Sequence, residues 1–397
     1  MKEITVIGMS LGQGTLTFEA SQKVENAQVL IGAPRMLENA EFLYKNTAKR
    51  VFSGYKPKDV AEIIKRNEAE SFAVLVSGDT GFYSAAEGIL KALPGYCVKF
   101  IPGISTVNYF FAKLKLPWQN AAFVSAHGRE ANIADTVRRN RLVFCLTGNN
   151  AGEIGEALTE ARFGYIKTFT GENLGTESER IREITASDLT GAVLPAMTVL
   201  LFENENPDER TPSGLADNLF IRRSGIPMTK SETRAQVLSK LNISPTDICY
   251  DIGAGTGSVT AEMALFAYRG HVYAVERRED AIALIKQNCA SFHLGNVTAV
   301  CGDAPNVLET LPPPDTVFIG GSGGGLEGII NAVLRKKTNA RIVLTAVTLE
   351  TVSAALEAFK SASLVPEITQ INTSRGKAVG NYHMLEAQNP VTIISNS

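Results

Sequence analysis

A chain of 397 residues is longer than one hydrophobic core supports, and at roughly 150 residues per domain it predicts two domains. With 44% apolar residues, 20% charged residues and 34 glycines, it has the composition of a globular α/β protein, which excludes disordered and low-complexity architectures. A net charge of −2 gives no general attraction to nucleic acid or to an anionic membrane, so neither is expected as a partner.

The opening "MKEITVIGMSLGQGT" enters a strand-like apolar run without a charged leader or cleavage site, and a cytoplasmic protein is expected. From there to about Asn204, the apolar runs "EITVIG", "QVLIGA", "FAVLVSGD", "CVKFIPG", "AAFVSAHG", "LVFCLTGN" and "MTVLLFEN" alternate with helical stretches such as "AAEGILKAL". That alternation predicts a largely parallel sheet covered by helices. Prolines and charges break the rhythm between Glu203 and Pro227, which reads as a linker and sets expected boundaries at 1–204, 205–227 and 228–397. Beyond it, helix and strand patterns alternate again from "SETRAQVLSKL" to "LETVSAALEAFKSA", followed by "EITQINTS" and "PVTIISN". This order predicts a Rossmann-like doubly wound sheet closed by a terminal hairpin. The five cysteines (Cys97, Cys145, Cys249, Cys289, Cys301) are scattered, and His127, His271, His293 and His383 lack ligand spacing. Buried thiols in a reduced compartment, and no metal, are expected.

The stretch "DICYDIGAGTGSVTAEMA", Asp247 to Ala264, reads as buried strand, tight turn and helix, a geometry that presents bare backbone N–H groups to a ligand. Its glycines Gly253, Gly255 and Gly257 depart from G-x-G-x-x-G, because Ser258 stands where the third glycine would fall. Glu276 ends the next strand, 19 positions after Gly257 (276 − 257), where a carboxylate accepts hydrogen bonds from a ribose diol. A nucleoside without a pyrophosphate requirement is the ligand this predicts. A bare tight turn and an NAD-dependent oxidoreductase stand as alternatives.

"DIGAGTG" with "VYAVE" and the later "CGDAP" resembles the class I S-adenosylmethionine-dependent methyltransferases. The resemblance implies S-adenosyl-L-methionine as cofactor, with the loop Gly253, Ala254, Gly255, Thr256 and Gly257 under its methionine part, Glu276 on the ribose, and Gly302, Asp303 and Ala304 beside adenine. The glycine cluster "FIGGSGGGLEGII", the entry "GIPMTKSETRAQVLSKL" and the tail "INTSRGKAVGNYHMLEAQNPVTIIS" narrow it to the C15-methylating, decarboxylating precorrin methyltransferases, which adds Thr229 to the cofactor contacts.

In the first half, "ITVIGMSLGQGT", "GAPRML", "VLVSGDTGFYSAAEGIL", "FIPGISTVNYFFAKL" and "FVSAHGRE" resemble the tetrapyrrole methylases, in their C5-methylating precorrin branch, from Ile4 to about Leu201. The match implies a fold of two α/β lobes and cofactor contacts from Gly8, Gly12, Asp79 and Gly103. Asp79 has a second reading, as the cap of a helix starting near Tyr83. His127 reads equally as a capping or a catalytic histidine. Leu11 and Thr80 stand where the family usually has proline, which alters fixed φ angles but removes no donor or charge.

Together the resemblances imply a bifunctional enzyme of cobalamin biosynthesis. It would methylate a precorrin or cobalt-precorrin at C5 with its first half, and at C15 with loss of the C12 acetate with its second. The alternatives are a first half that only binds or delivers substrate, and a protein that senses the cofactor without turnover. Methyl transfer from a sulfonium needs positioning and exclusion of water more than a nucleophile, so no catalytic residue is singled out. A polycarboxylate tetrapyrrole calls for cations, and the candidates are Arg222, Arg223, Arg234, Arg375 and Lys377 in the second half and Arg129 in the first. The leaving acetate calls for apolar or glycine surroundings, for which Gly320 to Gly325 is the expected wall. A homo-oligomer is expected.

Overall fold

The computed structural model describes residues 2–126, 132–208 and 212–396. In the first lobe, β1 (Glu3–Gly8), β2 (Val29–Gly32), β3 (Arg50–Ser53), β4 (Ser71–Val76) and β5 (Val98–Ile101) form a parallel sheet in the order β3-β2-β4-β1-β5. The central strands β1 and β4 are buried along nearly their whole length, as continuous apolar runs between two helical layers must be. β3, absent from the sequence reading, is an edge strand with a mostly exposed "RVFS" run.

The second lobe corrects the expectation of a largely parallel sheet. Its strands β6 (Ala122–Ser125), β7 (Leu142–Leu146), β8 (Lys167–Glu172), β9 (Arg180–Thr185) and β10 (Thr198–Glu203) lie in the order β6-β7-β10-β8-β9. Only β6 and β7 run parallel, because β8 to β10 are joined without helical crossovers and so pair antiparallel. β8 ("KTFTGE") and β9 ("RIREIT") are polar enough to read as loop in sequence.

The last sheet is the doubly wound one. Strands β11 (Ile248–Ile252), β12 (His271–Glu276), β13 (Val297–Cys301), β14 (Thr316–Ile319), β15 (Arg341–Ala346), β16 (Glu367–Ile371), β17 (Ser374–Val379), β18 (Tyr382–Ala387) and β19 (Val391–Ser395) include seven in the order β13-β12-β11-β14-β15-β19-β16. β16 and β19 form the expected antiparallel closure, and the segment between them is itself a two-stranded ribbon, β17–β18, exposed along most of its length. One apolar cluster covers each face of the sheet. No helix among the described residues is long and apolar enough to cross a membrane.

The segment after β10 is pinned to the doubly wound domain. Leu215, Phe220 and Ile226 are buried, the N–H groups of Gly214 and Leu215 donate to Glu262, and Ile221 exchanges hydrogen bonds with the Asn288 side chain. The halves also touch directly. The Arg139 guanidinium lies 4.3 Å from the Tyr268 ring centre and donates to the Leu265 carbonyl at 2.7 Å. Phe163 stacks on His293 at 4.2 Å, whose Nδ1 meets the Ala161 carbonyl at 2.7 Å.

Candidate active sites

β1, β4 and β5 end together, and glycine lets their backbones meet. A Cβ on Gly8 would lie 2.6 Å from the Gly78 carbonyl oxygen, and one on Gly103 only 2.2 Å from the same atom. Both glycines thus serve backbone packing under the site. Gly12, at φ +134°, has open space around it and lines a cleft of about 1300 Å³ between the two lobes. The Asp79 carboxylate accepts from the N–H of Gly81 at 2.8 Å and of Gly103 at 3.2 Å, stitching the ends of β4 and β5 together. The capping alternative fails, since the next helix starts at Ala86 and Tyr83 sits at φ +48°. Leu11 and Thr80 both line the cleft.

Arg35, inside the quoted "GAPRML" but not singled out from sequence, is the one cation among the described residues lining this cleft. It stands in the first turn of the helix Pro34–Tyr44, where the helix dipole disfavours positive charge. Its guanidinium reaches Ser77 Oγ on one lobe and Met197 Sδ on the other, and has no carboxylate partner among the described residues. The signal was the sequence context, a lone arginine just after a helix-opening proline. Arg129 and His127 lie outside the described residues.

In the second half, the turn after β11 places Gly253, Gly255 and Gly257 at φ +72°, +55° and +75°. A Cβ would strike Gly321 backbone at 2.5 Å from Gly253 and the Pro227 carbonyl at 2.7 Å from Gly255. The glycine loop is therefore clamped between the linker and the Gly320 to Gly325 loop. Ala254 is buried in the turn, and Thr256 donates its N–H to the Pro227 carbonyl at 3.3 Å. Glu276, at the end of β12, accepts from the Gly255 N–H at 3.1 Å and from the N–H groups of Arg277 and Arg278. Its carboxylate thus sits on the turn. Gly302 follows β13 at φ +155°, and Asp303 with Ala304 opens the short helix beside it.

Two buried side-chain oxygens at this turn have no partner, Asp251 Oδ1 and Thr256 Oγ1. Burial pushes the Asp251 carboxyl up to about 7, against the pull of its hydrogen bonds from Thr260. Positive-φ glycines, which leave the backbone bare, and an acid on the turn make a donor and acceptor set that fits a nucleoside bearing an amino acid tail.

Arg234, expected to face substrate, is instead fully buried. It donates to Glu262 Oε1 at 2.8 Å, to Asp217 Oδ1 at 3.0 Å and to the carbonyls of Thr229 and Leu215, and its guanidinium lies 4.7 Å from the Phe220 ring centre. Burial pushes the Glu262 carboxyl up despite this guanidinium, whereas for Asp217 burial is outweighed by Arg375 and Arg234, which hold it low. Arg234 holds the linker and Thr229, through its carbonyl, beside the glycine turn. Arg375 is likewise engaged by Asp217 and Glu232, and Lys377 by Glu386 across the ribbon at 3.3 Å. Arg222 and Arg223 are exposed on the linker, without a carboxylate partner among the described residues. Arg277, missed in sequence although it follows Glu276 directly, brings its guanidinium to 3.3 Å from where a Gly323 side chain would begin, so the glycine wall is flanked by a cation. Cys145, Cys249 and Cys289 are buried, and burial pushes their thiols up, to about 12 for Cys145 and Cys289; Cys97 and Cys301 are exposed, contrary to expectation.

A doubly wound sheet with an acid-anchored glycine turn, joined to a two-lobed α/β unit with its own cleft, has the architecture of a nucleoside-binding α/β enzyme. Residues 3–190 match the tetrapyrrole (corrin/porphyrin) methylases, and residues 221–397 match the precorrin methyltransferase domain. A probable cobalt-precorrin-6B C(15)-methyltransferase (decarboxylating) from Pyrobaculum calidifontis is 44% identical over 46% of this chain and 94% of its own length. A precorrin-6Y C(5,15)-methyltransferase [decarboxylating] from Sinorhizobium sp is 29% identical over 98% of this chain and 95% of its own. The solved structure of a precorrin-6Y C5,15-methyltransferase from Geobacter metallireducens GS-15 covers 46% of this chain and 95% of its own at 41% identity, with a TM-score of 0.44. The chain belongs to the precorrin methyltransferase family.

Proposed function

We propose that this protein is a bifunctional precorrin-6Y C5,15-methyltransferase (decarboxylating) of cobalamin biosynthesis, with a C5-methylating unit at 1–204, a linker at 205–227 and a C15-methylating, decarboxylating unit at 228–397. The observation that carries this reading is the presence of both sites on one chain that aligns over 98% of its length with the Sinorhizobium enzyme of that name. Self-association is part of the proposal, supported by the exposed apolar side chains Tyr382, Met384 and Leu385 on the ribbon. So is a cytoplasmic location.

S-adenosyl-L-methionine, when bound, supplies an electrophilic methyl group on a sulfonium whose leaving thioether is neutral. The chain's own residues then bind, orient and exclude water. In the second site, the turn Gly253 to Gly257 lets the cofactor approach the backbone, Glu276 holds its ribose diol, and Gly302, Asp303 and Ala304 flank the base. Arg277, at the edge of the glycine wall, and Arg222 and Arg223 on the linker meet peripheral carboxylates of the macrocycle, so that the C12 acetate, which leaves as carbon dioxide with a proton taking its place on the carbon, is not itself held as an ion pair in the ground state. In the first site, Gly12 opens the cleft to cofactor and substrate, and Arg35 takes a substrate carboxylate between the lobes.

The test is the mass of the product formed by the full chain from a precorrin-6B-type substrate and S-adenosyl-L-methionine, with and without cobalt in the ring. Two methylations with one decarboxylation support the proposal. A product lacking the decarboxylation, or an NAD-dependent mass change, overturns it.

A further inference from the structure

The contacts that join the halves lie far from both sites. On the doubly wound domain, the contact residues Leu265, Tyr268 and His293 fall at the ends of the helices Ser258–Phe266 and Glu279–Ser291, next to where β12 and β13 begin. The glycine turn, Glu276 and Gly302 follow the opposite ends of β11, β12 and β13. A six-residue strand such as β12 separates these edges by roughly 20 Å.

The first half repeats the arrangement. Arg139, Ala161 and Phe163 precede the starts of β7 and β8, whereas the cleft is lined by Ser125, Leu146 and Thr147 at the far ends of β6 and β7 and by Thr198 at the adjoining start of β10. Among its described residues, the connecting segment is anchored on the first half, where the Asp208 N–H donates to the Arg138 carbonyl at 2.8 Å. From Gly214 onward it is hydrogen-bonded to Glu262 and Asn288, and the Arg278 guanidinium donates to the Gly225 carbonyl at 2.7 Å.

We infer that the two sites face opposite ends of the chain, so that the macrocycle processed at one is released into solvent before the other takes it up, without transfer along a groove within one chain. This rests on the two-site reading above. The Pyrobaculum relative, nearly all of whose length is matched by less than half of this chain, is consistent with a second half that needs no hand-off from the first. The fusion then fixes the two activities at equal abundance and leaves the intermediate open to competition.

The experiment uses full-length chains with one site disabled each, Gly12→Val with Asp79→Ala for the first and Gly255→Val for the second, with Glu276→Ala as a milder second-site variant should Gly255→Val not fold. Each is first assayed alone, where it should carry out only its remaining reaction. A first-site variant that alone makes the complete product refutes the two-site reading, and this inference with it. The two variants are then mixed at equal concentration and compared with wild type at the same concentration of each site. The inference predicts the complete product from the mixture at the wild-type rate, with a lag that shortens in proportion as total enzyme is raised, and intermediate recoverable by ultrafiltration from both reactions. Variants that each work alone, with a mixture that completes the product much more slowly than a lag-free wild type, would overturn it.

Discussion

Asp251 makes the second site measurable through stability. The side chain is wholly buried at the end of β11, one oxygen bonded by the Thr260 hydroxyl and the other without a partner, and its carboxyl is pushed up to about 7 by burial. A folded pKa above the unfolded one means that the group's contribution is fully present below about pH 4 and is lost as pH rises through about 7. The whole shift, from 3.8 to about 7, corresponds to about 4 kcal/mol at about 1.4 kcal/mol per unit. Of this, somewhat more than half falls between about pH 5 and about pH 8.5. Asp251→Asn keeps the shape and removes the titration, so wild type should lose roughly 3 kcal/mol relative to the variant across that interval. Urea unfolding followed by circular dichroism gives the difference, while the sole tryptophan, Trp118, reports the first half separately by fluorescence. A wild-type minus variant difference that stays flat with pH would refute the claim that this carboxyl is held neutral by burial.

Arg234→Met leaves Glu262 buried and unpaired, so it should destabilise the second half by about 3–5 kcal/mol in the same unfolding assay; a loss below about 1 kcal/mol would show that the clamp on the linker is dispensable. Glu276→Ala should weaken S-adenosylmethionine binding at the second site by about 1.5–3 kcal/mol, seen by calorimetry as a roughly ten- to hundredfold rise in that site's Kd, and unchanged affinity would remove the ribose assignment. Arg35→Gln should raise KM for the first methylation severalfold while leaving the decarboxylating step at its wild-type rate; equal loss in both steps would point to a folding defect instead.

The sheets were readable from sequence where buried strands are built mainly from apolar residues. β1, β4, β11 and β14 are mostly apolar runs, and the strand, tight turn and helix around Gly253–Gly257 were legible from the glycine spacing, with Glu276 at the end of the next strand. Strands that face solvent escaped, because β3, β9 and the β17–β18 ribbon carry too many polar residues to stand out from loops, and β8 escaped although buried because its buried residues include Thr168, Thr170 and Glu172. The site cations were the least legible. An arginine's charge is visible in sequence, but its partner is not: Arg234 looked available and is consumed by Glu262 and Asp217, whereas Arg35 looked ordinary and lines the cleft free of any carboxylate among the described residues. Gly8 and Gly103 carry a related lesson, since their need for a missing side chain comes from backbone contact with Gly78 and arises only once three strands meet.

The central claim is that two separable methyl transfers reside on one chain, and product mass tests it most directly. A single methylation adds about 14 mass units, and methylation with decarboxylation removes about 30, by the arithmetic of the groups exchanged. The chain with Gly12→Val and Asp79→Ala should give product about 30 units lighter than substrate and no further change, while Gly255→Val should abolish that loss. If the first-half variant still yields the doubly methylated, decarboxylated product at the wild-type rate, the first half has no catalytic site and the two-site account is contradicted.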